Sequence, residues 1–453
     1  MPHSEFRREL RQLLVLAAPL AAAQAGTQFM GLVDVAVLGR LGARELAAAG
    51  LGNAVFFALA VIGMGISYGV DPLISQALGA GDRVRARSTM WQGIWLALVV
   101  SAVITALMFA GPLVLRPFRV QAELIPMTAT FLRIRALGLP PFLVFLVLRA
   151  YLQAHHVTRP LITSMLVANV FNLGADILLV FGGASLPAWT GPLRSIPAMG
   201  VAGAAIATVA ASFLQLAILG AAVKRIEVPE HVDHRWRTRD VAQAFRVGLP
   251  LGLQLGAEVG IFALVGILAG RLGTLDLAAH QLVISIASFT YTVALGVAAA
   301  GSVRVGIAVG ARDVVATQRA GFAAFLGGAA WMTITATLFA LFPRPIARLI
   351  SDQPNVIAFA IPLFYVAALF QLSDGIQAVG AGVLRGAGDT RYAFVANIFG
   401  HWIIGFPIAI ALGFALHMGI VGMWWGLCAG LAVVAVLLFL RFRKLSATEI
   451  VPL

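Results

Sequence analysis

Four acidic residues stand inside long apolar stretches of the sequence, where an ionised side chain is expensive to bury. They are Asp34, Asp176, Glu258 and Asp374, whereas most other Asp and Glu residues fall near the ends of such stretches. A carboxylate in hydrocarbon costs several kcal/mol, so it normally faces a cavity and acts there. Carboxylates carry protons and, with amide or carbonyl oxygens beside them, hold hard cations. Their positions therefore predict a protein that handles cations inside a membrane.

Polar side chains accompany each acid at the spacing of one helical face. We interpret these faces as hydrated or ion-facing; the alternative is that the polar groups join neighbouring helices by hydrogen bonds. The companions are Thr27 and Gly31 for Asp34, Asn169 and Asn172 for Asp176, Gln254 for Glu258, and Gln371 and Gln377 for Asp374.

Composition places these acids in a membrane protein. Of the 453 residues, 60% are hydrophobic and 11% charged, against about 45–50% and about 25% in globular chains. This excludes a soluble enzyme, a disordered chain and a nucleic-acid binder. The apolar runs are continuous rather than alternating, so they predict helices and not a β-barrel. The expected spans are 12–38, 47–71, 90–114, 124–148, 160–182, 200–223, 245–270, 277–302, 320–342, 355–380, 392–413 and 418–440.

An internal repeat divides these spans into two sets of six. Sequence elements of the first half recur in the second at one constant offset, without a gap. Six spans is an even number, so both halves enter the membrane the same way up, related by a pseudo-twofold axis along the membrane normal with a site between them. The recurring elements are Gly39-Arg40-Leu41-Gly42 with Gly270-Arg271-Leu272-Gly273, Leu46-Ala47-Ala48 with Leu277-Ala278-Ala279, and Gly79-Ala80 with Gly310-Ala311.

The repeat predicts an all-α, polytopic membrane fold of two six-helix bundles. We expect an N-terminal lobe over 1–222, a linker over 223–244 and a C-terminal lobe over 245–453. The four acids are not part of the repeat: Asp34 aligns with Val265, and Glu258 aligns with Thr27. Later in each half the offset is slightly shorter, and there Asp176 aligns with Ile404. Each half is therefore expected to hold its own acidic cluster.

Basic residues orient the predicted helices. Most of the 32 lysines and arginines, including the N-terminal group and the linker, fall on one side of the spans. By the positive-inside rule that side is cytoplasmic, with both termini there, in the cell inner membrane. Arg133 and Arg135 are exceptions slightly inside the fourth span, on the opposite side. The linker residues Pro229, His231, His234 and Trp236 have no metal-site spacing, and we expect a solvated connection.

Signatures of enzymes do not occur in the sequence. Neither Lys224 nor Lys444 lies in a phosphate-binding loop, and the common zinc-hydrolase and serine-hydrolase motifs are missing. We therefore expect a protein that is not an enzyme and needs no cofactor beyond a coupling ion.

The chain resembles the multidrug and toxic compound extrusion (MATE) family, in its NorM-like branch. The similarity extends over essentially the whole length and includes the repeat elements above. Glu258 and Asp374 favour the NorM-like over the DinF-like branch. Further residues that carry the resemblance are Asp34, Gln76, Asn172 with Asp176, Gly203-Ala204-Ala205 with Thr208, Ala278-Ala279-His280-Gln281, and Leu384-Arg385-Gly386-Ala387-Gly388-Asp389-Thr390.

The resemblance implies an antiporter in which a Na+ or H+ gradient drives export of organic cations by alternating access. Glu258 and Asp374 would form a cation site, which Na+ could occupy, and Asp34 would join them in coupling. Phe370 departs from the pattern, since some relatives have tyrosine there. The N-lobe polar site would comprise Asn172, Asp176, Thr208 and, from its spacing, Asn169; weaker candidates for the substrate cavity are Gln254, Gln281 and Gln371.

An alternative function is a flippase for lipid-linked precursors on a related scaffold. A wide and strongly basic cavity would favour it, because its substrate is a pyrophosphate. The sequence does not decide between Na+ and H+. The expected partners are cationic amphipathic molecules and the lipid bilayer, without nucleic acid, and we expect a monomer.

Overall fold

A computed structural model describes residues 3–115, 121–184, 188–228 and 232–453. Within these ranges the chain is almost entirely helical and contains no strand. Twelve helices are long and apolar enough to cross a membrane. The predicted all-α, twelve-helix fold class is thus confirmed. Pro229 and His231 of the predicted linker lie outside the described residues.

The twelve helices, some of them built from successive segments, are numbered in chain order. Their bounds are α1 His3–Gly39, α2 Ala43–Tyr68 with Val70–Gly79, α3 Arg83–Leu115, α4 Ile125–Ala136 with Leu139–Ala154, α5 Arg159–Phe181, α6 Val201–Lys224, α7 Thr238–Leu272, α8 Thr274–Gly310, α9 Val314–Leu341, α10 Pro354–Gly386, α11 Thr390–Ala415 and α12 Gly419–Leu445. Shorter helices cover Ala188–Ser195 and Pro343–Arg348.

Several helices extend well beyond the spans predicted from hydropathy. Helix α1 begins at His3 rather than near 12, and α7 begins at Thr238 inside the predicted linker. Helix α8 continues to Gly310, past its predicted end at 302. Hydropathy detects only the length that matches the hydrocarbon layer, and these helices continue with polar ends on either side of it.

Two helices are interrupted. In α4, Pro140 and Pro141 start the second segment after a break at Leu137 and Gly138, as expected where proline cannot continue a hydrogen-bond ladder. In α11, Phe399–Gly405 and Ala411–Ala415 are wound as π-helix. Such widened turns are rare and often occur at functional sites, and the first of them begins shortly after Asn397.

The chain forms two compact units that are not continuous in sequence. The first unit contains Ala25–Val70 and Arg87–Gly252. The second unit contains the chain up to Gln24, Asp71–Ala86 and Leu253–Leu453. Helices α1 and α7 are each divided between the units, and their boundaries differ from the predicted lobe boundaries near 222 and 245. The lobes as drawn from the repeat stay a prediction.

The repeat is visible in equivalent helix contacts inside each unit. In the first unit, a Cβ on Gly65 would collide with the Cα of Gly252; in the second, a Cβ on Gly296 would collide with the Cβ of Ala21. Gly65 aligns with Gly296 in the repeat, and Ala21 aligns with Gly252. Each unit therefore contains the same close crossing between one helix of the first half and one of the second, which small residues allow in membranes.

A reciprocal contact of the same kind lies within the second unit. A Cβ on Gly79 would collide with the carbonyl oxygen of Ile307, and one on Gly310 would collide with that of Gln76. Gln76 and Ile307 are again equivalent positions of the repeat. The Gly-Ala element found in the sequence thus marks a crossing of α2 and α8 where two copies of one motif meet.

The connection between α6 and α7 is bound to helix α3. The Gln92 side chain donates to the Arg235 carbonyl at 2.8 Å and accepts from the Arg237 amide at 2.9 Å. The Trp95 indole donates to the His234 carbonyl at 2.9 Å. Residues 234–239 of this connection are exposed, as expected of a solvated linker, and these hydrogen bonds also anchor it to α3.

Candidate cation-coupling site

The first unit gathers the two acids predicted for it. The Thr208 hydroxyl of α6 donates to Oδ2 of Asp34 on α1 at 3.0 Å. Asn172 and Asp176 of α5 lie beside Asp34 and are fully buried. Three helices thus bring Asp34, Thr208 and the Asn172–Asp176 face into one cluster.

Several buried atoms of this cluster lack a hydrogen-bond partner within the described residues. They include Oδ1 of Asp34, both carboxylate oxygens of Asp176 and both amide atoms of Asn172. Buried polar atoms in native proteins are nearly always satisfied. The cluster therefore has the spare hydrogen-bonding capacity that a proton or a small cation with its water would use.

An arginine that the sequence reasoning did not assign to the site belongs to this cluster. Arg135 of α4 is half-buried and lies within electrostatic range of Asp34 and Asp176. Its guanidinium donates to the Asn53 side chain at 3.4 Å and stands 4.5 Å from the centre of the Phe56 ring. The position of Arg135 inside the fourth span was the available signal.

Asn169 has a different role from its neighbours on α5. Its amide donates to the backbone carbonyl of Gly26 on α1 at 3.1 Å and to that of Met165 at 2.9 Å. Within the described ranges, its side chain makes no hydrogen bond to either acid. Asn169 thus joins α5 to α1, which is the structural alternative considered for these polar faces.

The second unit gathers its own two acids. Glu258 of α7 is 9% exposed, and its Oε2 accepts from Gln377 of α10 at 3.4 Å and from Asn397 of α11 at 3.3 Å. Asp374 of α10 is 7% exposed and within electrostatic range of Glu258. The Tyr291 phenol of α8 also interacts with Glu258. Four helices converge on this carboxylate.

The donor set of the second cluster suits a hard cation. The carbonyl oxygens of Gln377 and Asn397 are buried and without a hydrogen-bond partner within the described part of the chain. With the two carboxylates they form an all-oxygen set, which hard cations prefer. No group of three or more His, Cys, Asp or Glu side chains suited to a metal occurs among the described residues.

The three glutamines predicted for the substrate cavity do not share one environment. Gln254 is buried one turn before Glu258, and its Oε1 lacks a partner among the described residues. Gln371 is fully buried, and its amide donates to the hydroxyls of Thr290 and Thr335. Gln281 is exposed on α8. Gln254 and Gln371 thus each lie one turn before an acid, and the Oε1 of each lacks a hydrogen-bond partner among the described residues.

Three partners of Glu258 were outside the predicted site residues, and two of them had a signal in the sequence. Asn397 is the repeat equivalent of Asn169, and Gln377 lies on the Gln371–Asp374 face. Tyr291 gave no signal. Phe370, where some relatives have tyrosine, packs its ring against Phe262 and Trp424. The phenol near the carboxylate comes from another helix, α8.

Comparison with known proteins gives consistent results. The MatE family model matches residues 19–178 and 250–411. The probable multidrug resistance protein NorM of Rhizobium meliloti is 34% identical over 450 residues, covering 96% of this chain and 93% of that protein. The protein of the same name from Deinococcus radiodurans is 35% identical over 439 residues, covering 96% and 95%.

Solved structures share the fold. The eukaryotic MATE transporter AtDTX14 superimposes with a TM-score of 0.84 at 20% identity, covering 98% of both chains. A mutant of the Vibrio cholerae MATE transporter VcmN gives a TM-score of 0.86 at 19% identity, covering 99% of both chains. At this level of identity, these likenesses establish the arrangement of helices alone.

Proposed function

The chain belongs to the MatE family, and from that premise we propose that it is a secondary active multidrug efflux antiporter. It exports organic cations in exchange for Na+ or H+ by alternating access. The name of the NorM relatives supports multidrug export. The observation that carries the coupling is the pair Glu258 and Asp374, two buried acids with no basic residue among the described contacts of Glu258.

The second cluster supplies what an exchanged cation needs. Glu258 and Asp374 hold it by charge, and the side-chain oxygens of Gln377 and Asn397 complete its surroundings. Ion and drug must favour different conformations, because a ligand with equal affinity for both states shifts nothing. Shared charge provides this: a carboxylate that holds its ion attracts a cationic drug less strongly.

The first cluster has a second coupling role in this proposal. Asp34, with Asn172, Asp176 and Thr208, takes up and releases a coupling cation. Asn169 joins the helices that carry these residues. Gln254 and Gln371 are better placed than Gln281 to meet substrate, because each lies one turn from an acid of the second cluster.

The same reasoning gives the location, the oligomeric state and the partners of the protein. The protein lies in the cell inner membrane with both termini in the cytoplasm, acts as a monomer and needs no cofactor besides the coupling ion. Its partners are lipid and cationic amphipathic molecules. The flippase alternative gains nothing from the names of the relatives, and both clusters, as far as the chain is described, contain more acids than bases.

Reconstituted proteoliposomes test the proposal. We expect an imposed inward Na+ or H+ gradient to drive efflux of ethidium, with each gradient applied separately to identify the ion. Glu258→Gln combined with Asp374→Asn should strongly reduce gradient-driven efflux. The removed charges are those that hold the ion of the second cluster, so that ion can no longer drive transport.

Asp352→Asn is the matched control, because Asp352 is an exposed acid outside both clusters. It should transport like the unmodified protein. If Glu258→Gln and Asp374→Asn both left ethidium efflux unchanged, the coupling assignment would be wrong. If neither gradient drove efflux, the antiport proposal itself would fail.

A further inference from the structure

Arg135 is the one basic side chain seen within electrostatic range of Asp34 and Asp176 in the described part of the chain. A charged group in a membrane interior persists only when it is paired or hydrated. The guanidinium interacts electrostatically with both acids without forming a direct ion pair to either among the described residues. It donates to the Asn53 side chain and lies over the face of Phe56, which attracts cations. Its neighbour Arg133 is exposed, so the two arginines of α4 differ in role.

The charge of the first cluster depends on Arg135. Arginine stays protonated in proteins, so its charge is fixed. When both acids are ionised, two carboxylates and one guanidinium leave a single net negative charge. An acid pair without the arginine would carry two. The number of mobile cations needed to neutralise the cluster is therefore one rather than two.

We propose that Arg135 is the resident counter-cation of the Asp34–Asp176 pair and so sets the number of coupling cations that this cluster exchanges. The inference rests on the proposed function, since it concerns the cations that compete with substrate. It makes Arg135 a positioning residue for coupling: it acts through the two acids and does not itself bind the ion. Arg135 thus determines how many cations are exchanged, and not whether transport occurs.

Linkage between cation and drug binding measures this number. The affinity of the purified protein for tetraphenylphosphonium is determined by calorimetry while Na+ concentration and pH are varied separately. The slopes of log Kd against log[Na+] and against pH count the cations displaced by the drug. In Arg135→Gln the fixed positive charge is gone, so the sum of the two slopes should be about one larger than in the unmodified protein. Arg133→Gln is the matched control and should keep the original slope.

Two further variants keep the test decisive if Arg135→Gln folds poorly. Arg135→Lys retains the charge and should restore the original slope. Arg135→Gln combined with Asp34→Asn again leaves one net negative charge and should also give the original slope. Asp34→Asn alone, which leaves the cluster neutral, should lower it by about one.

The outcomes separate the two proposals. A slope of zero in the unmodified protein would overturn the antiport function and this inference with it. A normal slope that is the same in Arg135→Gln and in Asp34→Asn would overturn the inference alone. A changed slope in Arg135→Gln that Arg135→Lys fails to restore would also overturn it, because charge would then not be the cause.

Discussion

In the first unit, Asp34 and Asp176 share their surroundings with Arg135, whereas in the second unit Glu258 and Asp374 are accompanied by uncharged side chains. The helices around both pairs are copies of one another, down to the crossing of Gly65 with Gly252 and its equivalent of Gly296 with Ala21. Duplication supplied the scaffold of both units, and the charges were placed on it separately. The two clusters can therefore do different work on one frame.

One pair of equivalent residues shows how this separation arises. Asn169 and Asn397 align in the repeat and occupy matching places on α5 and α11. Asn169 donates to the backbone of Gly26, whereas Asn397 donates to the carboxylate of Glu258. Because Glu258 aligns with Thr27, the next residue after Gly26, the same helix contact is a structural bond in one unit and part of the acid cluster in the other.

The duplicated scaffold should be the most sensitive part of the molecule. Gly79→Ala and Gly310→Ala each introduce a Cβ that would collide with a backbone carbonyl oxygen, so α2 and α8 must move apart. Overpacking of this kind costs about 1–3 kcal/mol. We expect both variants to melt at clearly lower temperature in detergent, by similar amounts.

Gly220→Ala is the control for that prediction, because nothing lies within 4 Å of a Cβ at this helical position. It should melt unchanged or slightly higher. Since Gly79 and Gly310 belong to one crossing, the double variant should lose less than the sum of the two single losses. Fully additive losses would contradict the view that the two glycines form a single reciprocal contact.

The two asparagines should respond differently to the same change. Asn397→Leu removes the amide oxygen that, in this proposal, completes the surroundings of the ion beside Glu258. We expect the apparent affinity for Na+, measured from Na+-dependent ethidium efflux, to fall about tenfold or more, the effect of losing about 1.4 kcal/mol. Asn169→Leu should lower the melting temperature while leaving the ion dependence of transport unchanged.

An equal response of the two asparagines would contradict this contrast. If Asn169→Leu changed the ion affinity as strongly as Asn397→Leu, the backbone bond to Gly26 would not describe its main role. The two clusters would then be functionally alike, and the comparison between the units would lose its basis.

Most of the fold could be predicted from the sequence, and so could the acids of the two clusters. Burying a carboxylate is so costly that Asp176 or Glu258 in an apolar run is informative without any structure. Some of their partners are harder to find, because Tyr291 looks like an ordinary helix residue until the helices pack. Arg135 was not assigned to the site, because the long side chain of an arginine inside a span can often reach water at the membrane surface. The division of α1 and α7 between compact units depends on tertiary contacts, which a repeat in sequence does not specify.

The smallest expected effect concerns what holds Arg135 in place. Phe56→Leu removes the aromatic face 4.5 Å from the guanidinium but keeps an apolar side chain of similar volume. A cation–π contact is worth about 0.5–1 kcal/mol when partly exposed, so the melting temperature should fall only slightly. The slope of tetraphenylphosphonium affinity against Na+ and pH should stay at its original value, because no charge is lost. A slope that rose as in Arg135→Gln would mean that the position of the guanidinium, and not only its charge, determines how many cations the first cluster exchanges.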